Sequence, residues 1–219
     1  MKHIKVVAFD CDGVLFDTEH ANRIYYSQIL QHFGRPAVTD EQIAFLHMHT
    51  LQEGMAYLFP DKKMLNAAYE FRKSIDYQQY LSHLTVEPHL VALLEKLRPS
   101  IKTAIATNRT DTMNMLLADF KLDGYFDLVV TSSDVKRPKP HPDELLKILE
   151  YFKLESYQAI YVGDSRLDQL AAQEAGIALV AYRNPELTSN FHINSLKELE
   201  ELLKINEQDG AGRDGIWCI

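Results

Sequence analysis

Five short apolar runs constrain this chain more than any other feature: residues 4–9, 103–106, 128–131, 159–162 and 177–181. Each is rich in β-branched, aliphatic or aromatic residues, as buried strands are, and several stop abruptly at a polar residue. Helix-length amphipathic segments separate the later runs, at residues 90–97, 110–120, 143–152 and 167–175, the last closed by Gly176; a further helix at 196–205 has Ser195 and Glu198 placed for a capping box. Strands alternating with helices predict an α/β fold, a Rossmann-like doubly wound parallel sheet.

Between the first and second runs lies an insertion, residues 17–85, too long for one crossover helix. It reads as a small all-helical domain. Thr18 can cap a helix carrying Ile24, Tyr25, Ile29, Leu30 and Phe33, ended by Gly34 and Pro36; Thr39 and Gln42 form a capping box; residues 51–58 stop before Pro60; residues 64–81 supply a fourth helix. The predicted organisation is a core of residues 1–16 and 86–206, a helical lobe of 17–85 and a flexible, glycine-rich tail of 207–219 that ends near Trp217. Both junctions fall in polar or proline-bearing stretches suited to hinges. The aromatics of the lobe, Tyr25, Tyr26, Phe33, Phe45, Tyr57 and Phe71, read as its own core.

With 46% hydrophobic residues the chain can bury a sizeable core, and a formal net charge of -8 argues against a nucleic-acid partner, which selects clustered Lys and Arg. Its two cysteines, Cys11 and Cys218, have no metal or redox spacing. No stretch approaches the roughly 20 apolar residues of a membrane span, and the first residues lack a signal-peptide layout. A soluble, cytoplasmic protein with no membrane partner is expected. Oligomeric state has no signature here.

Chemistry gathers where the strand runs end. Asp10-Cys11-Asp12-Gly13 places two carboxylates at alternate positions, able to bind a hard cation together or to divide nucleophile and general-acid work; a solvated Asp-Gly turn is the plainer reading. Thr107-Asn108-Arg109 offers a hydroxyl, an amide and N–H groups to phosphoryl oxygens, although Thr107 alone fits a helix cap equally well. Lys139, flanked by Pro138 and Pro140, has a restricted backbone that can aim its ammonium. Asp164 and Asp168 follow the fourth run, where either can serve as a helix N-terminal acid.

Taken in order, Asp10-x-Asp12-Gly13, Thr107, Lys139 before Pro140, and Gly163-Asp164 with Asp168 resemble the four motifs of the haloacid dehalogenase superfamily across the whole core. The resemblance implies that Asp10 is a nucleophile forming an aspartyl phosphate and Asp12 the general acid and base. It implies Mg²⁺ held by Asp10, Asp164 and the backbone carbonyl of Asp12, with Thr107 and Lys139 on the phosphoryl group and Asp168 supporting from behind. Dehalogenases of the fold lack an equivalent of Asp12. The sequence from Asp12 to Glu19 looks like the phosphoglycolate phosphatase and β-phosphoglucomutase branch, whose helical cap is inserted here. The implied activity is hydrolysis of a small phosphorylated metabolite; the alternatives are a sugar-phosphate mutase or a non-catalytic, phosphate-binding regulatory protein. The mutases tend to carry a glycine and an arginine in the cap loop that maps to residues 46–51; this chain has Met48 and no arginine there, which leans toward hydrolysis. His47, His49, Asn108 and Arg109 are the candidate substrate contacts. Strand alternation turns Cys11 into the core.

Overall fold

The computed structural model describes residues 3–98 and 100–208, with side chains as far as 203. Strand β1 (Val6–Phe9) leads through a tight loop to β2 (Phe16–Asp17). The insertion follows: α1 (Glu19–His32), α2 (Asp40–Met48), α3 (Leu51–Leu58), α4 (Lys62–Lys73) and a 3-10 helix, Tyr77–His83. The chain then returns through β3 (Thr85–Val86) to α5 (Leu90–Leu97), β4 (Lys102–Thr107), α6 (Met113–Asp119), β5 (Leu128–Thr131), α7 (Asp143–Phe152), β6 (Ala159–Gly163), α8 (Arg166–Ala175), β7 (Ala178–Tyr182), β8 (Phe191–Ile193) and α9 (Leu196–Gln208).

Six strands form one sheet in the order β5-β4-β1-β6-β7-β8, with every pairing parallel. All four residues of β1 are buried, as expected for a central strand covered on both faces. The period-2 alternation divides them. Val7 and Phe9, with Ile105, Ile160 and Val162, pack in a core shared with α5, α6 and the insertion. Val6 and Ala8, with Ala104, Ala106 and Tyr161, pack under Leu145 and Ile148 of α7 and Ala171 and Ala172 of α8. The alanines on that face let the two helices approach closely, and each fully buried Leu or Ile there contributes about 1.5–3 kcal/mol.

Several local expectations change. The helix expected over 64–81 is two elements: Asp61 caps α4, and Asp76 accepts the Gln78 N–H to start the 3-10 helix after a break at Ser74. Thr39 and Gln42 make the capping box read from sequence, but Thr18 does not cap α1; it is fully buried and turned inward. Ser195 accepts from Lys197 N–H while Glu198 accepts from Asn194 N–H, so that end is capped without a reciprocal box. Helix α6 starts at Met113, three residues later than read. Two short elements escaped notice because neither is long enough to show a period: β8 at the sheet edge, and the β2–β3 ribbon, which pairs Phe16 with Val86 and Asp17 with Thr85. Helix α9 runs to Gln208, so the expected tail from residue 209 onward, Trp217 included, lies outside the described residues. Among the described residues no helix is long and apolar enough to cross a membrane.

Candidate active site

The carboxyl ends of β1, β4 and β6 and the loop after β5 converge at the point where the chain switches from one side of the sheet to the other, the usual ligand crevice of such folds. Asp10 is the first residue beyond β1. Its Oδ1 accepts the Cys11 N–H at 2.7 Å and faces Lys139 Nζ at 2.8 Å. Lys139, only 2% exposed, also donates to Asp168 Oδ1 at 2.7 Å and to the Tyr161 hydroxyl at 3.0 Å. The Tyr161 hydroxyl lies 2.7 Å from Asp168 Oδ1 and 3.0 Å from the Ala106 carbonyl, which share its single proton. Asp168 Oδ2 in turn accepts the Ser165 N–H at 2.9 Å and its hydroxyl at 2.6 Å. Gly163 is required beside it, since a Cβ there would meet Asp168 Cβ at 2.5 Å.

These charges set one another. Burial pushes the Asp10 carboxyl up; Lys139 opposes this, Asp168 and Asp12 reinforce it, and the outcome is about 7. Burial would lower the Lys139 ammonium, but Asp10 and Asp168 more than offset that and raise it. Asp168 is held low despite burial, chiefly by Lys139. Beneath this layer, Glu144 of α7 is fully buried; it accepts the Lys139 backbone N–H at 3.3 Å through Oε1, while Oε2 has no hydrogen-bond partner. Burial pushes its carboxyl up to about 7.

Asp12 is gripped by Arg109. Nε donates to Oδ2 at 3.1 Å and Nη2 to Oδ1 at 2.5 Å, while Nη1 reaches the Tyr77 hydroxyl at 3.0 Å and Thr112 Oγ1 at 2.9 Å. Burial pushes the Asp12 carboxyl up, but the charge and hydrogen bonds of Arg109 outweigh it, aided by His47 and a hydrogen bond from Thr18, and hold it at about 2. Thr112 therefore accepts from Arg109 instead of capping α6. Between the two aspartates Cys11 is fully buried, and burial raises its thiol, as suits a core residue.

Oxygens of Asp10, Asp164 and Asp168 lie within 4.8 Å of one another. Both Asp168 oxygens are already committed to Lys139, Tyr161 and Ser165, so Asp10 and Asp164 are the carboxylates left for a cation. The Asp164 carboxyl is pushed well up by burial, then by Asp168 and Asp10, and a hard divalent ion fits this oxygen-only, mutually repelling pair. Gly13, at φ +85°, turns the loop against Asp164: a Cβ would sit 2.1 Å from Oδ2.

Thr107, buried at the end of β4, accepts the Arg109 N–H at 3.2 Å; with α6 starting at Met113 it stands on a strand end, apart from the helix start expected for it. The Asn108 amide donates to the Met48 carbonyl at 3.0 Å and the Lys139 carbonyl at 3.1 Å, which docks the end of α2 onto this crevice. His47 Nε2 stands 4.0 Å from Asp164 Oδ2, with Nδ1 buried and unpartnered. His49 stacks on Phe45 at 3.8 Å and bonds the Phe45 carbonyl at 2.9 Å, so Nδ1 carries its proton. Asp10, Asp12, His47, His49, Thr107, Asn108 and Arg109 line one cavity of about 60 Å³. A wider groove of about 890 Å³, reached past His47 and Met48, includes Asp164 but neither Asp10 nor Asp12.

Sequence reading missed Arg72, Tyr77 and the hydroxyl of Tyr161. It gave Tyr25 and Tyr26 to a core alone, whereas both also line the cavity. The available signal was Tyr161 itself, a phenol inside a buried strand whose hydroxyl must find a partner.

Fold and crevice together define an α/β protein that presents carboxylates and a buried lysine at the ends of parallel strands. A model described as haloacid dehalogenase-like hydrolase matches residues 7–182. A phosphoglycolate phosphatase of Photorhabdus laumondii is 30% identical over 188 residues, covering 82% of this chain and 80% of that one. A pyrophosphatase PpaX of Bacillus mycoides is 28% identical, covering 81% and 83%. A crystal structure of a HAD-superfamily hydrolase, subfamily IA, variant 1, from Geobacter sulfurreducens has a TM-score of 0.76 at 37% identity, covering 92% of this chain and 97% of that one. The chain belongs to the haloacid dehalogenase-like hydrolase family.

Proposed function

We propose that this enzyme is a phosphatase that hydrolyses a small phosphorylated substrate in two displacements at Asp10. The observation that carries the reading is the placement of Asp10 and Asp12 on one cavity, with Lys139 at 2.8 Å from the first. Asp10 attacks phosphorus as a carboxylate; Asp12, once released from Arg109 and protonated from solvent as substrate binds, gives its proton to the leaving oxygen as that bond breaks. Asp12, again a carboxylate, then takes a proton from the water that attacks the phosphorus of the aspartyl phosphate, releasing inorganic phosphate and regenerating Asp10. Lys139 favours ionised Asp10 and offsets charge on the phosphoryl oxygens, with Thr107 and Asn108 as hydrogen-bonding neighbours. Mg²⁺, held by Asp10, Asp164 and the Asp12 backbone carbonyl, supplies the remaining charge neutralisation. Residues 17–85 act as a cap that closes over the strand ends, bringing residues 46–51 to the leaving group and excluding water.

The relatives are named for phosphoglycolate and pyrophosphate hydrolysis, both small substrates. The lack of an arginine among residues 46–51 supports hydrolysis over a phosphoglucomutase reaction. The test is net phosphate release from a panel of phosphomonoesters and pyrophosphate with Mg²⁺, by the native chain and by Asp10→Asn. The expected result is stoichiometric release by the first and none by the second. Isomerised product without phosphate, or undiminished turnover by Asp10→Asn, would overturn it.

A further inference from the structure

The cavity holds one cation that neither the sequence motifs nor the proposed chemistry employs. Arg72, in the last turn of α4, reaches across from the insertion and donates through Nη2 to both oxygens of Asp111, each at 2.9 Å. Its side chain is 17% exposed and lines the same cavity as Asp10, Asp12 and Arg109. Its Nε is buried with no hydrogen-bond partner. A buried guanidinium N–H without an acceptor is costly, of a kind that native structures rarely leave without a reason. Asp111 is an undemanding partner: its side chain is 60% exposed, and water can satisfy it alone.

Arg109 supplies a second guanidinium in the same space, 7% exposed at its side chain and fixed by Asp12, Tyr77 and Thr112. Two guanidiniums, one from the insertion and one from the loop after β4, line one cavity, each paired with an internal carboxylate, and a guanidinium is the group that takes a carboxylate or phosphate bidentately. The Asp10 end of the cavity already takes the reacting phosphoryl group. We infer that Arg72 and Arg109 form a receptor for a second anionic group, so that the substrate is a compact phosphate compound whose leaving group carries a carboxylate or another phosphate. Asp111 holds the place of that anion on Arg72 until substrate arrives. The size agrees: about 60 Å³ is room for roughly four to six water-sized spheres, hence a linker of very few atoms between the two anions. This rests on the hydrolase reading for where the phosphoryl group sits.

Calorimetry with non-hydrolysable phosphonates at saturating free Mg²⁺ tests it without needing turnover. Phosphonoacetate carries the carboxylate, methylenediphosphonate the second phosphate, and ethylphosphonate neither. At least one of the first two binds native protein about tenfold or more tighter than ethylphosphonate, and the tighter of the pair identifies the anion. Arg72→Gln removes most of that preference, Arg72→Lys keeps part of it, and Asp111→Asn, at an exposed position that tolerates change, increases it by freeing the guanidinium. Equal affinity for all three ligands in the native protein overturns the receptor. So does a preference that Asp111→Asn leaves unchanged, which decides the matter even if Arg72→Gln does not fold. Hydrolysis of p-nitrophenyl phosphate by the native protein, measured separately, decides the hydrolase reading alone.

Discussion

The Lys139 ammonium lies 2.7 Å from Asp168 Oδ1, and that contact aims it at Asp10. Asp168 is fully buried and acts through Lys139. Replacing it by Asn leaves a buried ammonium with one carboxylate instead of two and a hydrogen-bond ring short of one acceptor. Asp168→Asn is expected to cost about 3 kcal/mol of stability in urea unfolding and to lower kcat more than it raises KM. A native kcat in this variant would show that Lys139 needs no such support.

Cation binding is predicted to be visible without any substrate. Mg²⁺ at about a hundred times its Kd adds roughly 2.7 kcal/mol, which for a chain of this size raises Tm by about 5–10 °C. Asp164→Asn, lacking one proposed ligand, is expected to lose that rise, and exhaustive chelation to silence hydrolysis until Mg²⁺ is returned. An equal Mg²⁺-induced rise in Asp164→Asn would remove Asp164 from the ligand set.

Glu144 makes a pH-dependent prediction away from the reacting groups. Its carboxyl stands near 7 in the folded protein against 4.5 as the ordinary value. Below pH 4.5 the folded and unfolded chains both hold the proton. Between about 4.5 and 7 the unfolded chain releases it first, so stability falls as pH rises; above 7 both have released it and the loss is complete. Glu144→Gln keeps an acceptor for the Lys139 N–H and cannot ionise. The variant is therefore predicted to gain on the native protein between pH 5 and pH 8, by on the order of 2–3 kcal/mol. A gap between the two chains that stays constant with pH would mean that Glu144 is solvated.

Substrate ranking is expected to depend on residues 46–51. His47→Ala with His49→Ala should change the order of kcat/KM among phosphate esters far more than hydrolysis of a small generic ester. His47 is the stronger contributor, since Nδ1 is unpartnered while His49 is already bonded to Phe45. Uniform loss on all esters would place both histidines in stability or in catalysis.

The sequence reveals what repeats or ends abruptly. Runs such as 4–9 and 159–162 announce strands because burial on both faces demands continuous apolar residues, and Asp10 and Asp164 stand out because a charge closes each run. Features made by tertiary approach stay silent. Thr18 looks like a helix cap by position, yet a hydrogen bond to Asp12 and full burial claim it. Arg72 looks like one more surface cation in an amphipathic helix until α4 is laid beside the loop after β4. Arg109 is legible as a residue next to Thr107, but its grip on Asp12, 97 positions away, exists only in three dimensions.

The β2–β3 ribbon joins the two polypeptide crossings of the insertion to each other, Phe16 to Val86 and Asp17 to Thr85. Neither crossing can shift without carrying the other, which leaves the helices one shared pivot instead of two loose tethers. Everything between these paired residues enters and leaves through that one ribbon. A foreign helical segment needs ends that arrive about 5 Å apart, the spacing of neighbouring strands, and residues that replace what Met48 does for Asn108 and Tyr77 for Arg109.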